Sequence, residues 1–244
     1  NFKYSEIKKF SKYQSIILIG MGGSALGAKA IYTFLNNKIK KNLNFLDNLD
    51  QSKIKKIKKK INLNKSLFII VSKSGKTLET LVNSNLLEDK ISKKNTIIIT
   101  DKKINPLNIF AKNKKILTID HNNYIGGRYS VLSEVGMLPA YFMGLKINLF
   151  RKKLLSFLNS KEKNSLLNNV IKLSHIYKYK KINSIIMLNY APEVNEFLYW
   201  CQQLIAESLG KKGKGILPVV SPAPRDHHSL MQLYLDGPKK SFYT

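Results

Sequence analysis

Leu67-Phe68-Ile69-Ile70-Val71 and the adjoining Ser72-Lys73-Ser74-Gly75-Lys76-Thr77 join a continuous apolar run to a hydroxyl-rich turn. Short runs of branched apolar residues are typical of strands that are buried on both faces of a parallel sheet. A helical pattern follows the turn, and the free N–H groups and dipole at the start of a helix favour an anion. We therefore predict that Ser72, Ser74 and Thr77 hold a phosphate.

Two other interpretations of this turn remain open. Gly75-Lys76-Thr77 matches the end of a nucleotide-binding P-loop, but that motif requires glycine where Ile70 stands. Alternatively, one serine or threonine simply caps the following helix, which is an ordinary role of these residues at helix starts. A phosphate cradle accounts for all three hydroxyls together.

Four further apolar runs resemble the first and alternate with helical patterns. Each is short, rich in branched residues and followed by turn residues. Strands that alternate with helices form a parallel sheet covered on both faces, so we predict an α/β fold with a doubly wound, three-layer arrangement. The further strands are predicted over residues 16–19, 43–46, 96–99 and 116–119.

A second unit is predicted after a region rich in Lys, Asn and Ser. A helical pattern over 131–145 ends the first unit, and a strand over 184–188 begins the next. A helix through Trp200 and a strand over 215–220 follow. We predict a first sheet-containing domain over 1–147, a helical linker over 148–181 and a second, incomplete domain of the same class over 182–244.

The chain is strongly basic, with 42 Lys and Arg against 15 Asp and Glu and a net charge of +27. Such an excess ordinarily suggests a nucleic-acid partner. Only three of these residues are arginines, however, whereas recognition of phosphate backbones and bases draws on the arginine fork. We therefore assign most of the charge to solvated helix faces and expect no nucleic-acid partner. A polyanion-binding role is the weaker alternative.

Cysteine usage and hydropathy favour a cytoplasmic protein. Cys201 is the single cysteine and permits no internal disulfide, which fits a reducing compartment. We see no signal-peptide pattern and no apolar run near the roughly 20 residues that span a bilayer, so we expect no membrane partner. His121 and His175 lack metal-ligand spacing, and we expect neither metal nor cofactor.

A dinucleotide fingerprint competes with these expectations. Gly20-Met21-Gly22-Gly23-Ser24-Ala25 satisfies the pattern G-x-G-x-x-G/A, and Asp47 ends the next strand at a suitable distance. Taken alone, this predicts an NAD-dependent oxidoreductase. Such a protein has no evident use for the hydroxyl-lined turn after the third strand, or for Gly126-Gly127-Arg128 after the fifth.

Five segments in order carry a family resemblance: GMGGSALG (20–27), SKSGKTLET (72–80), GGRYSVLS (126–133), WCQQLIAESLGK (200–211) and DHHSLMQ (226–232). Across nearly the whole chain they resemble the motifs of the glucose-6-phosphate isomerase family. The first two also resemble the wider sugar isomerase domain, whose members bind phosphosugars with or without catalysis. The resemblance implies two sugar isomerase domains, a homodimer whose active site is shared between subunits, and interconversion of glucose 6-phosphate and fructose 6-phosphate in glycolysis and gluconeogenesis.

The resemblance also implies roles for single residues. Glu207 matches the catalytic base, His228 the ring-opening histidine and Arg128 the arginine that stabilises developing charge. His227 competes with His228, but the pattern Asp-x-His-Ser favours His228. The positions implied for substrate or phosphate are Gly23, Ser24, Ser72, Lys73 through its backbone, Ser74, Thr77, Gly127 and Gln203.

The same residue types suit isomerisation on chemical grounds. Moving a carbonyl between C1 and C2 requires a carboxylate that removes a proton and returns it to the neighbouring carbon through a cis-enediolate. Glu207 lies one helical turn from Gln203. Arg128 is an always-charged donor for the enediolate. The ordinary alternatives are an exposed helix carboxylate and a surface arginine.

Two departures from the family pattern affect the expectation. Ser74-Gly75 stands where longer members have threonine and an aromatic residue, which is typical of a short prokaryotic form. The family's C-terminal motif, with a second glutamine and a lysine that helps to open the ring, is not found before Thr244, and the segment before the first strand is short. We therefore expect an incomplete enzyme with weak activity. A non-catalytic phosphosugar-binding module is an alternative that would not need Glu207 and His228 together.

Overall fold

The computed structural model describes residues 2–244, which form two compact units. The first unit ends at Leu145, and the second runs from Lys146 to Thr244. Each unit contains its own parallel sheet, so the predicted α/β class with two parallel sheets is confirmed. The finer division at residues 147 and 181 stays a prediction.

The sheet of the first unit has five parallel strands, and all five were predicted to within two residues. They pair in the order β2-β1-β3-β4-β5, which is a doubly wound order with its topological switch point between β1 and β3. The strands are β1 Ser15–Ile19, β2 Asn42–Leu46, β3 Ser66–Val71, β4 Thr96–Thr100 and β5 Leu117–Asp120.

Helices bury both faces of this sheet, and every residue of β3 and β4 is buried. Phe68 and Ile98 belong to a core cluster that includes Ile54 and Leu107 from helices. Ile69 points to the opposite face, because side chains alternate along a strand, and it is also fully buried. The helices of this unit are α1 Tyr4–Ile7, α2 Leu26–Phe34, α3 Gln51–Lys60, α4 Leu78–Asn85, α5 Pro106–Asn113 and α6 Glu134–Phe142.

The second unit has a three-stranded parallel sheet in the order β7-β6-β8, and its strands are β6 Ser184–Asn189, β7 Leu217–Pro222 and β8 Ser241–Tyr243. The first two were predicted. The third was missed, because a run of three residues has no readable period. The helices of this unit are α7 Asn148–Arg151, α8 Leu154–Leu158, α9 Lys161–Tyr179, α10 Asn195–Leu209 and α11 Met231–Asp236.

Helix α10 contains both Gln203 and Glu207, as predicted. The helix predicted through Trp200 continues to Leu209, and Gly210 follows as the C-cap residue. Glycine is a common residue where helices stop. Gln203 and Glu207 therefore lie one turn apart on the same helix.

Candidate functional site

The turn after β3 holds a pair of hydroxyl groups. Ser72 is buried, and its Oγ lies 2.9 Å from Oγ1 of Thr77. Thr77 occupies the N-cap position of α4, yet within the described chain its hydroxyl makes no capping hydrogen bond. Simple helix capping by Thr77 is therefore not what the structure shows. Hydroxyl groups that bond only to each other can instead donate to an anion without breaking the helix.

Gly75 allows the turn to close. Its φ of +62° lies in the left-handed region, and a Cβ atom there would overlap the side chain of Asn105. Asn105 is itself held, because its Oδ1 accepts from the N–H of Asn108 at 2.9 Å and its Nδ2 donates to the carbonyl of Lys103 at 2.9 Å. Ser74 lies on the exposed side of the turn, where its Oγ accepts from the N–H of Lys76 at 3.2 Å.

The glycine-rich turn after β1 contacts the loop after β5. A Cβ atom at Gly23 would overlap the carbonyl group of Gly127, so the two backbones approach as closely as glycine permits. The hydroxyl of Ser130 joins them by donating to the carbonyls of Gly23 at 3.2 Å and Gly127 at 2.6 Å. Ser24 belongs to the same turn, in a short 3₁₀ helix. The sequence pattern contained Ser130 but gave no signal of this bridging role.

Lys73 connects the turn after β3 to the loop after β5. Its Nζ donates to the carbonyls of Asn123 at 2.6 Å and Ile125 at 2.8 Å. The three predicted loops of the first unit are therefore neighbours at the carboxyl ends of β1, β3 and β5. This is the edge where open parallel sheets bind ligands, and two of the loops flank the switch point.

Arg128 lies in a 3₁₀ turn, Gly127–Leu132, whose last two residues overlap the stretch predicted to be helical from residue 131. The regular helix α6 starts later, where Ser133 caps it by accepting from the N–H of Val135 at 3.3 Å. The guanidinium group of Arg128 lies over the ring of Tyr129, 4.6 Å from its centroid.

A buried ionisable pair brackets the Arg128 loop, and sequence reasoning missed it. His121 and Glu134 are 1% and 3% exposed, and the His121 Nδ1 atom lies 3.9 Å from Oε1 of Glu134. His121 had been considered only as a possible metal ligand. Spacing along the chain contained no hint that residues on either side of the loop meet.

Two features disfavour the dinucleotide interpretation. The strand order differs from the 3-2-1-4-5-6 order of dinucleotide-binding folds. In addition, both carboxylate oxygens of Asp47, the acidic residue that completes the dinucleotide fingerprint, are engaged at 3.0 Å by the ammonium groups of Lys29 and Lys53. Burial alone would raise the pKa of Asp47, but the two lysines outweigh burial and hold it below its ordinary value.

In the second unit, α10 brings Gln203 and Glu207 together. The Gln203 Nε2 atom donates to Oε1 of Glu207 at 2.7 Å, in keeping with their spacing of four residues. The Oε1 atom of Gln203 is buried and has no hydrogen-bond partner among residues 2–244. Since buried polar atoms are normally paired, this oxygen is an acceptor suited to a ligand hydroxyl.

The adjacent histidines differ in their surroundings. His227 Nε2 lies 2.9 Å from the hydroxyl of Tyr190, and the two rings are in contact. His228 is exposed, and no hydrogen bond to its ring occurs in the described part of the chain. Asp226 anchors the turn between the histidines and β7 by accepting from Ser221 Oγ at 3.0 Å. The ring of His227 is therefore engaged by Tyr190, whereas that of His228 faces solvent.

The remaining candidates for function among the described residues are metal sites, membrane-spanning helices, reactive thiols and other grooves. Among residues 2–244 no cluster of three or more His, Cys, Asp or Glu side chains is placed to hold a metal ion, and no helix there is long and apolar enough to cross a membrane. Burial raises the pKa of the Cys201 thiol, which makes it a poor nucleophile. A groove of about 560 Å³ lies at the amino ends of β1 and β2, beside Ser15 and Asn42, and so away from the three loops.

Comparisons with known proteins identify the family and the fold of this chain. Residues 6–215 match the phosphoglucose isomerase family. A glucose-6-phosphate isomerase from Methanocaldococcus jannaschii is 37% identical over 97% of this chain and 61% of its own length. A hypothetical protein from Thermus thermophilus superposes with a TM-score of 0.84 at 28% identity, over 98% of this chain and 60% of that one.

A more distant structure shares the fold. A glucose-6-phosphate isomerase from Chlamydia trachomatis has a TM-score of 0.73 at 22% identity, over 96% of this chain and 50% of that one. The chain thus spans about three fifths of the length of the curated relatives it matches.

Proposed function

The chain belongs to the phosphoglucose isomerase family, and from this premise we propose that it interconverts glucose 6-phosphate and fructose 6-phosphate as an aldose–ketose isomerase of glycolysis and gluconeogenesis. The observation that carries the proposal is the convergence of three glycine- and serine-rich loops at the carboxyl edge of the first sheet. This convergence supports a phosphosugar as the ligand.

The phosphate group is assigned to the turn after β3 and the glycine-rich turn after β1. Ser72 and Thr77 would exchange their mutual hydrogen bond for bonds to phosphate oxygens, and Ser24 and Ser74 would add further donors. The free N–H groups at the start of α4 favour the same charge, and the backbone of Lys73 would add the phosphate contact that the family resemblance implies. Gly23 and Gly127 keep side chains out of the space between the loops.

The proton transfers are assigned to three side chains. His228 moves a proton between the ring oxygen and the C1 hydroxyl, which opens the sugar ring. Glu207 then removes the proton from C2 and returns it to C1, so that one carboxylate serves both carbons. Gln203 orients that carboxylate, and Arg128 stabilises the negative oxygen of the enediolate.

We further propose a cytoplasmic homodimer whose active site is shared between subunits, and a division into domains over 1–147 and 182–244 with a helical linker between them. Light scattering tests the dimer. A molar mass equal to one chain would contradict it.

The decisive experiment separates three functions. We expect fructose 6-phosphate to raise the melting temperature, because a ligand that binds only the folded state stabilises it, and we expect glucose 6-phosphate to be converted in a coupled assay. Stabilisation without turnover would indicate a non-catalytic phosphosugar-binding module. Stabilisation by NAD, but not by fructose 6-phosphate, would indicate an oxidoreductase.

A further inference from the structure

The side chain of Lys73 reaches from the loop after β3, past the end of β4, to the loop after β5. Because β4 pairs between β3 and β5, the loops that follow β3 and β5 start two strand spacings apart. Two spacings amount to about 9–10 Å at the strand ends, a distance that a long side chain can span. The Lys73 ammonium group does so by donating to the carbonyls of Asn123 and Ile125.

The backbone of Lys73 is also fixed. Its carbonyl accepts from the N–H of Asp101 at 3.0 Å and from the Thr100 hydroxyl at 3.3 Å, both at the end of β4. Lys73 is thus anchored at its backbone and holds a partly exposed loop at its side chain. The carbonyls of Asn123 and Ile125, which accept from the Lys73 ammonium group, lie only a few residues before Arg128. Hydrogen bonds from a charged donor are stronger than those between neutral groups.

We propose that Lys73 is a positioning residue, whose ammonium group holds the Arg128 loop in register with the phosphate-binding turn. This inference rests on the proposed function and adds a role for the Lys73 side chain, which is distinct from any contact of its backbone with phosphate. Since the ammonium group is occupied by two carbonyls, its main effect is on the placement of Arg128 and so on turnover.

Three variants test the proposal. Lys73→Met keeps most of the aliphatic stem and removes the cation, and Lys73→Arg keeps the charge. Lys103→Met is the matched control, because Lys103 is exposed in the loop after β4 and its loss removes the same charge from the same edge of the sheet. We expect Lys73→Met to lower kcat by about 10- to 100-fold, the scale associated with misplacement by about 1 Å.

The split between kcat and KM distinguishes positioning from binding. KM for fructose 6-phosphate should stay within about threefold in Lys73→Met, Lys73→Arg should recover part of kcat, and Lys103→Met should leave both constants near the parent values. In an Arg128→Lys background, Lys73→Met should add little further loss, because the two residues act through one element. A rise in KM at constant kcat, or an equal loss in Lys103→Met, would overturn the proposal.

A second measurement does not depend on activity. The N–H groups of Ile125 and Tyr129 donate to the carbonyls of Asn122 and Gly126, so their hydrogen exchange reports on the loop. We expect faster exchange at these amides in Lys73→Met, with exchange in β4 unchanged. Unchanged exchange in the loop would overturn the proposal even in an active enzyme. Faster exchange in a protein that turns over no phosphosugar would support the anchoring role and refute the proposed function instead.

Discussion

The two units differ in how deeply their strands are buried. Every residue of β3 and β4 in the first unit is buried, whereas three of the six residues of β6 in the second are only partly buried. The proposed phosphate-binding hydroxyls follow β3, and the proposed base and ring-opening histidine lie in the second unit. Loops on a deeply buried scaffold open less often than elements with few buried contacts. The proposed phosphate-binding hydroxyls therefore follow a strand of the more deeply buried sheet.

The helices show the same difference. Residues 148–179 form α7, α8 and α9, and among the described residues none of these helices has a buried side chain. Leu155 and Ile171 are 75% and 65% exposed. In the first unit, by contrast, α6 buries eight of its nine residues. We expect the second unit to exchange its amide hydrogens faster and to lose structure first on heating.

The largest expected effect separates chemistry from binding. Glu207→Gln removes the base and preserves its shape, so isomerisation should fall by about 10²- to 10⁴-fold while fructose 6-phosphate still stabilises the protein. Glu193→Gln is the control, because Glu193 is exposed in the turn before α10. Near-normal turnover by Glu207→Gln in a coupled assay would contradict the assignment of Glu207, and so of the second unit, as the source of the catalytic base.

The next largest effect tests whether the phosphate group binds in the first unit. Ser72→Ala combined with Thr77→Ala should raise KM for fructose 6-phosphate at least about tenfold, because each hydrogen bond to a charged group contributes about 1.5–3 kcal/mol. The two hydroxyls pair with each other, so removing both leaves neither unsatisfied and the melting temperature should change little. An unchanged KM would place the phosphate elsewhere, first at the turn after β1.

Two glycines test how rigid the proposed phosphate-binding turn after β3 is. Gly75 and Gly144 both have positive φ, but a Cβ atom overlaps Asn105 only at Gly75, and none of the described residues lies within 4 Å of one at Gly144. Each alanine substitution should incur the conformational cost of about 1–2 kcal/mol. Gly75→Ala should be the more destabilising in urea unfolding and should weaken phosphosugar binding as well. Equal losses would mean that the turn relaxes freely and that the first unit is less rigid than its burial implies.

The smallest effect concerns acid stability of the first unit. The ion pairs with Lys29 and Lys53 lower the pKa of Asp47 below its ordinary value of 3.8, so its contribution to stability is present above that pH and is lost as the pH falls. Asp47→Asn should cost up to about 1 kcal/mol at pH 6, since these pairs are partly exposed.

The pH dependence provides the check on Asp47. The difference in unfolding free energy between the parent and Asp47→Asn should shrink below pH 3.8. Asp89→Asn is the control, because Asp89 forms an exposed pair with Lys90 and should show a weaker dependence. A difference that stays constant from pH 6 to pH 3 would contradict the role of the lysine pairs.

Several features could be predicted from local sequence. The five strands of the first unit were predicted because a run such as Ile97-Ile98-Ile99 is stable only when it is buried on both faces. The contact between Gln203 and Glu207 follows from their spacing on a helix. Where the pattern was short, as at the three-residue strand β8, the prediction failed.

The sequence by itself determined the fold class, the order of the motifs and the residue types available for acid–base chemistry and phosphate binding, because periodicity and turn composition are local properties. Only the tertiary structure decided which loops meet. The contacts of Ser130 with Gly23, of Lys73 with Asn123 and of His121 with Glu134 depend on the pairing order of the strands and on packing across the sheet. That order depends on the burial of the whole sheet, which no single segment encodes.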